Sequence, residues 1–204
     1  MGVVKMKKTL LVILLIASVI TGAFAADTEI MLGLQSGFNE QVIFPKTDYG
    51  SVETYDYVPI KADAMFYFGD SFALNAALGM DILIPEYGDA TVGMGADVLA
   101  YYKCELSDMI DILAGGGLSY KFFTESGSVA GFTSSLSTHQ LALLGSVRFQ
   151  FDVIDHLTVF AGADIGYNVL NQSVTSSGGH SSDPVDMEQS IMPWAIKAGV
   201  SYKF

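Results

Sequence analysis

From Thr28 onward the chain alternates apolar with polar or small residues in eight segments. These are Thr28–Phe38, Tyr55–Phe68, Ser71–Leu83, Thr91–Lys103, Met109–Phe122, His139–Phe151, Leu157–Asn168 and Ile191–Phe204. A period of two points successive side chains to opposite faces, so each segment predicts a β-strand. Each is about as long as a tilted strand needs to be to cross a bilayer. The connections alternate as well. Gly69-Asp70, Cys104–Asp108 and Asp152–His156 are short, whereas Asn39–Thr54, Ile84–Ala90, Phe123–Thr138 and Val169–Ser190 are longer and rich in Gly, Ser and acids. That order predicts an antiparallel up-and-down meander, with every long loop at one end and both chain ends at the other.

Within the segments the residues sort into two sets. One is nearly free of charge, as in Val58, Ile60, Ala62, Ala64, Phe66 and Phe68, or Leu141, Leu143, Gly145, Val147, Phe149 and Phe151. The other carries almost all strand charges: Lys61, Asp63, Asp81, Asp97, Lys103, Asp111, Lys121, Arg148, Asp164, Lys197 and Lys203. A slip of one residue would exchange the two faces, so the sorting has structural meaning.

Two architectures fit, each the other turned inside out. A soluble ligand-carrying barrel would point the apolar set inward; a membrane barrel would point it at lipid and keep the charges in the lumen. The charged set favours the second. It holds only one or two charges per strand, of nearly balanced sign, padded by Gly79, Gly93, Gly95, Gly115, Gly117, Gly162 and Gly166. Small residues suit the inside of an eight-strand barrel, and paired charges suit a site away from water. Aromatic residues of the apolar set gather at both strand ends. Phe66, Phe68, Phe72, Tyr102, Phe149, Phe151, Tyr202 and Phe204 lie at the short-turn end, and Phe38, Tyr120, Phe122, Tyr167 and Trp194 at the long-loop end. Two girdles on one face match the two interfaces of a bilayer.

Composition sharpens the choice. Half of the 204 residues are hydrophobic and 16% are charged, against about 25% charged in soluble domains. Lys5, Lys7 and Lys8 precede an apolar run from Thr9 to Ile20 and the sequence Ala23-Phe24-Ala25. This is the form of a cleaved export signal, expected to span residues 1–25 and to leave a barrel over residues 26–204. The signal holds three lysines and no acid, so seven bases and 22 acids remain, a net charge of −15. Such a balance argues against a nucleic-acid partner. The single cysteine, Cys104, permits no internal disulfide.

The last segment carries a family resemblance. Ile196, Ala198, Val200, Tyr202 and Phe204 alternate up to the final residue, which resembles the C-terminal assembly signal of bacterial outer-membrane barrels. The whole segment pattern is similar to that of the small eight-stranded class, the OmpA membrane domain and the OmpX and OmpW relatives. The resemblance implies an all-β, eight-stranded antiparallel transmembrane barrel in the outer membrane of a diderm bacterium, with both termini periplasmic. It also implies contact with outer-membrane lipid and with the barrel-assembly machinery.

Candidate chemistry is sparse. His180, Ser181 and Glu188 bring together hydrolase residue types, but within a Ser/Gly-rich loop, where a solvated surface is the favoured reading. His139 and His156 have no obvious partner in the sequence. Gly115-Gly116-Gly117 lacks the lysine-serine pair of a phosphate cradle, and Gly116, on the lipid-facing parity, has no evident role. No metal or cofactor site and no enzymatic activity is expected. The lumen set Lys61, Asp63, Asp81, Asp97, Asp111, Lys121, Arg148, Asp164 and Lys197 admits a structural plug, the favoured reading, or a gated path for small or hydrophobic solutes. The expected role is therefore structural or surface-interacting, with four acidic loops outside for an extracellular or host ligand.

Overall fold

The computed structural model describes residues 28–45, 51–85, 90–129, 132–177, 180–187 and 189–204; the expected export signal lies outside them. Among the described residues ten strands follow in order: β1 (Thr28–Pro45), β2 (Glu53–Phe68), β3 (Phe72–Ile84), β4 (Thr91–Ser107), β5 (Ile110–Val129), β6 (Phe132–Ile154), β7 (Leu157–Ser177), β8 (His180–Ser181), β9 (Val185–Asp186) and β10 (Gln189–Lys203). Each of the first seven pairs antiparallel with the next, and β10 pairs with both β7 and β1. Eight strands thus close into a ring and leave no edge, the geometry the alternation predicts. The two-residue strands β8 and β9 attach to β7 outside that ring.

The pairing fixes the shape. Following partners from Ile30 through Phe66, Leu74, Ala100, Gly116, Gly145, Ile165 and Trp194 returns to β1 at Glu40, ten residues along from the start. A stagger of that size over eight strands tilts them about 40° from the barrel axis. The lumen of so narrow a barrel is filled by side chains. Gly69, at φ +63°, makes the tight turn between β2 and β3; this left-handed region suits a residue without Cβ.

Alternation decides what each face carries. Leu34, Leu78, Met94, Leu143, Phe149, Ile165 and Ile196 are exposed on the outer wall. On the inner wall, Lys61, Asp63, Asp81, Asp97, Lys121, Arg148 and Lys197 are buried. A continuous apolar exterior around a charged interior is the reverse of a soluble domain.

The structure corrects the strand boundaries at the long-loop end. Phe123–Thr138 and Val169–Ser190 are not simply loops. The β5–β6 ladder continues to Val129 opposite Phe132, and β7 runs on against β6 as far as Ser177. The apolar stripe ends at the girdle, but the hydrogen-bond ladder does not need it. Ser and Thr side chains fit a two-sided wet hairpin, so hydropathy alone marks the stop too early. The Ser/Gly stretch of the candidate hydrolase likewise holds the end of β7, β8 and β9. At the other end, Cys104 belongs to β4 rather than to a turn.

Candidate functional site

Among the described residues the lumen is where the fold concentrates polar chemistry. Its side chains come from odd-numbered positions of β1 to β5 and β10, and from even-numbered positions of β6 and of β7 as far as Asn168. They stack in layers.

Nearest the short turns, Thr158 donates to Asp152 at 2.5 Å, Tyr67 donates to Gln150 at 2.5 Å, and Lys103 pairs with Asp111 at 3.2 Å. Next comes an apolar layer of Met31, Met65, Leu99 and Leu113 with Tyr67, Ala73 and Tyr101. At the same depth Arg148, fully buried, holds Asp63 at 3.2 Å. Asn75 donates a further bond to Asp63 at 2.5 Å.

Above this, Lys61 sits 2.8 Å from Asp97 and 3.7 Å from Asp81, and Ser119 donates to Asp97 at 2.6 Å. A second chain runs beside it. Lys197 lies 2.9 Å from Asp164, which also accepts from Ser146 at 2.5 Å, and Tyr101 reaches Ser146 at 2.7 Å. Lys121 is different: its ammonium lies 4.3 Å from the ring centroid of Tyr57, and its Nζ makes no hydrogen bond within the protein. A cation over an aromatic face is attracted by the ring quadrupole. A cavity of about 40 Å³ adjoins Lys61, Lys121 and Lys197, room for a water or two.

Glycines make space for these pairs. A Cβ at Gly95 would run into the Asp81 carboxylate and come within 2.9 Å of Lys61 Cε. One at Gly199 would strike the Phe160 ring, and those at Gly115 and Gly117 would strike the carbonyls of Ala100 and Val98 on β4. Gly116 gains a reason as well: a Cβ there would press on the Leu144 carbonyl at 2.5 Å.

The lumen ends at the long-loop side on a hydrogen-bonded bar. Gln41 donates to Gln140 at 2.8 Å, and Tyr57 donates to Gln41 at 3.1 Å. Beyond it the same inward parity continues into a second cavity of about 200 Å³. Ile43, Tyr57, Leu83, Phe123, Leu136 and Ile191 wall it, with Glu53, Tyr55 and Glu125 also lining it. Partial burial pushes the Tyr55 phenol above its ordinary range, and the charges of Glu53 and Glu125 add to the shift.

Outside, the aromatic residues expected as girdles stand on the outer wall. Phe72 packs edge-on to Tyr102 at 5.6 Å, Tyr202 to Phe204 at 5.1 Å, and Phe38 lies 5.7 Å from Trp194. Phe66, Phe68, Phe149 and Phe151 share the short-turn end of that wall, and Tyr120, Phe122 and Tyr167 the long-loop end. Trp194 donates to Glu40 at 3.0 Å. Both remaining histidines do have partners. His139 is 2.7 Å from the Tyr120 hydroxyl, and His156 stacks on Tyr202. Ile196, Ala198, Val200 and Tyr202 face outward along β10, each opposite a β1 residue.

Sequence reasoning missed the inward aromatics and the amide bar. Tyr57, Tyr67, Tyr101 and Phe160 share the parity of the charged set, and that parity was the available signal. Of the hydrolase residue types, Ser181 lies 2.8 Å from Ser176 across β7–β8, and Glu188 lies outside the described residues. Among the described residues no group of three or more His, Cys, Asp or Glu is placed to hold a metal ion.

Solved structures with this fold are outer-membrane β-barrels. A major outer membrane protein from Thermus thermophilus superposes with a TM-score of 0.59 at 13% identity, covering 87% of this chain and 100% of that one. OprG from Pseudomonas aeruginosa gives 0.53 at 14% identity, over 88% of this chain and 96% of its own. The N-terminal β-barrel domain of OprF from the same organism gives 0.51 at 12% identity, over 85% and 97%. At these identities the likeness is one of fold. No protein-family model and no curated protein matches the sequence.

Proposed function

We propose that this protein is an integral outer-membrane barrel of a diderm bacterium, with a structural or surface-interacting role and a plugged lumen. The barrel's exterior supports the location. Water would not tolerate so large an apolar wall between two aromatic girdles, whereas lipid requires it. In this reading outer-membrane lipid contacts that wall, the termini are periplasmic, and the barrel-assembly machinery reads β10. The acidic long-loop end faces outward, toward an extracellular partner.

One observation carries the plug: the fully buried Arg148–Asp63 pair at the depth of the Met31, Met65, Leu99 and Leu113 layer. An ion crossing there would have to displace both a desolvated pair and an apolar layer. Planar-bilayer recording tests this. The plugged barrel gives no steady openings; steady wild-type openings that Arg148→Ala or Lys197→Ala abolishes would establish the narrow-channel alternative instead. The cavity beside Lys61, Lys121 and Lys197 is what favours that second reading. A lipid-modifying hydrolase has less support, because Ser181 and Ser182 are engaged in hydrogen bonds to β7.

A further inference from the structure

The second cavity, between the amide bar and the long loops, has no part in a plug. An apolar and aromatic part of its wall, from Ile43, Leu83, Phe123, Leu136 and Ile191, stands beside Gln41, Thr138, Gln140 and Gln189. Apolar side chains around a concave space gain dispersion contacts when a ligand enters it. The charges around it are ordered by depth. Glu53 and Glu125 line its sides and are exposed, whereas Lys121 lies beneath, its ammonium against the ring of Tyr57 at the floor. The floor itself is closed by Gln41 and Gln140.

We infer that this cavity is a closed-bottomed binding site for a small cationic amphiphile, an alkylammonium ion. Its chain lies among Ile43, Leu83, Phe123 and Ile191, and its charged head stays beside Glu53 and Glu125. Three physical terms set that orientation. The chain gains by leaving water. The ammonium is drawn to the exposed carboxylates and to the aromatic ring of Tyr55 beside them. Lys121 below the floor repels a cation that goes deeper, so the head remains at the mouth. An anionic amphiphile of the same length would meet the two carboxylates first and bind less well. The inference rests on the plugged-lumen reading, since a through-path would turn the cavity into a vestibule.

The test uses the barrel in lipid nanodiscs and isothermal titration with octyltrimethylammonium, with the signal of empty nanodiscs subtracted. Saturable binding of one cation per barrel is expected, and octanoate should bind far more weakly. Replacing both carboxylates (Glu53→Gln with Glu125→Gln) should weaken the cation about five- to tenfold, the range for two exposed charges. These positions are exposed, so the barrel still folds. Leu83→Trp, which fills the cavity, should abolish binding while β circular dichroism is retained. If it misfolds, Ile43→Phe serves the same purpose. Equal affinity for octanoate, indifference to the double Gln change, or no heat beyond empty nanodiscs would each overturn the site. Conductance measured on the same preparation separates the two readings: steady openings defeat the plug, whereas lost cation selectivity with a silent barrel defeats the site alone.

Discussion

Arg148 lies over the ring of Phe160 inside the barrel, its Cζ 3.3 Å from the ring centroid, while its guanidinium holds Asp63 from the other side of the lumen. A planar, delocalised cation can stack and pair at the same time; an ammonium cannot. Phe160 in turn needs Gly199, where any Cβ would collide with its ring. Four strands, β2, β6, β7 and β10, are tied by this one arrangement.

Arg148→Ala should therefore be among the most damaging single changes in the chain. It leaves the fully buried Asp63 carboxylate without its cation, at a cost of about 3–5 kcal/mol. Arg148→Lys should recover only part of that, because the ring loses its planar partner. Urea unfolding in lipid vesicles measures both. A lysine variant as stable as the wild type would show that stacking contributes nothing.

Gly95 and Gly145 offer a matched pair on opposite walls. A methyl group at Gly95 meets the Asp81 carboxylate and the Lys61 chain, whereas at Gly145 only the Ile165 carbonyl comes near, at 3.8 Å. Gly95→Ala should cost about 1–3 kcal/mol through overpacking, and Gly145→Ala should be close to neutral. The same unfolding measurement decides; similar losses at both sites would mean that the network yields easily.

Leu78 stands on the outer wall midway along β3, between Phe72 and Ile84. If lipid covers that wall, Leu78→Arg should cost about 2–4 kcal/mol, the depth-dependent penalty for a charge near the bilayer centre. Equal folding free energies of the arginine variant and the wild type in vesicles would contradict a lipid-facing Leu78.

Tyr55 gives a pH-dependent handle at the mouth. Its phenol titrates above the ordinary value of 10, chiefly through burial and then through Glu53. A phenol whose pKa is raised by folding stabilises the fold fully below the unfolded value. That contribution fades as pH rises from about 10 through the folded value. Glu53→Gln should shift the Tyr55 transition in ultraviolet absorbance toward lower pH. An unchanged transition would place the Glu53 charge out of reach of the phenol.

Period-two alternation is a local property, and by itself it determines much of this protein. It set the number of ring strands, their order, the face of each side chain, and so the greasy exterior and charged interior. It was enough because a strand has only two faces and the chain keeps charge off one of them. Partnership inside the lumen was beyond its reach. Arg148 and Asp63 lie 85 residues apart, and they meet because the ring closes with a stagger of ten residues, which no single segment encodes. The same closure leaves Lys121 against Tyr57 rather than bonded to an acid, and it sets Gln41 opposite Gln140 as a floor. Tertiary structure also carried β5, β6 and β7 past the girdle, since a hydrogen-bond ladder propagates between neighbours whatever their hydropathy. Alternation sorts residues to a wall; only the register of the closed ring decides which of them touch.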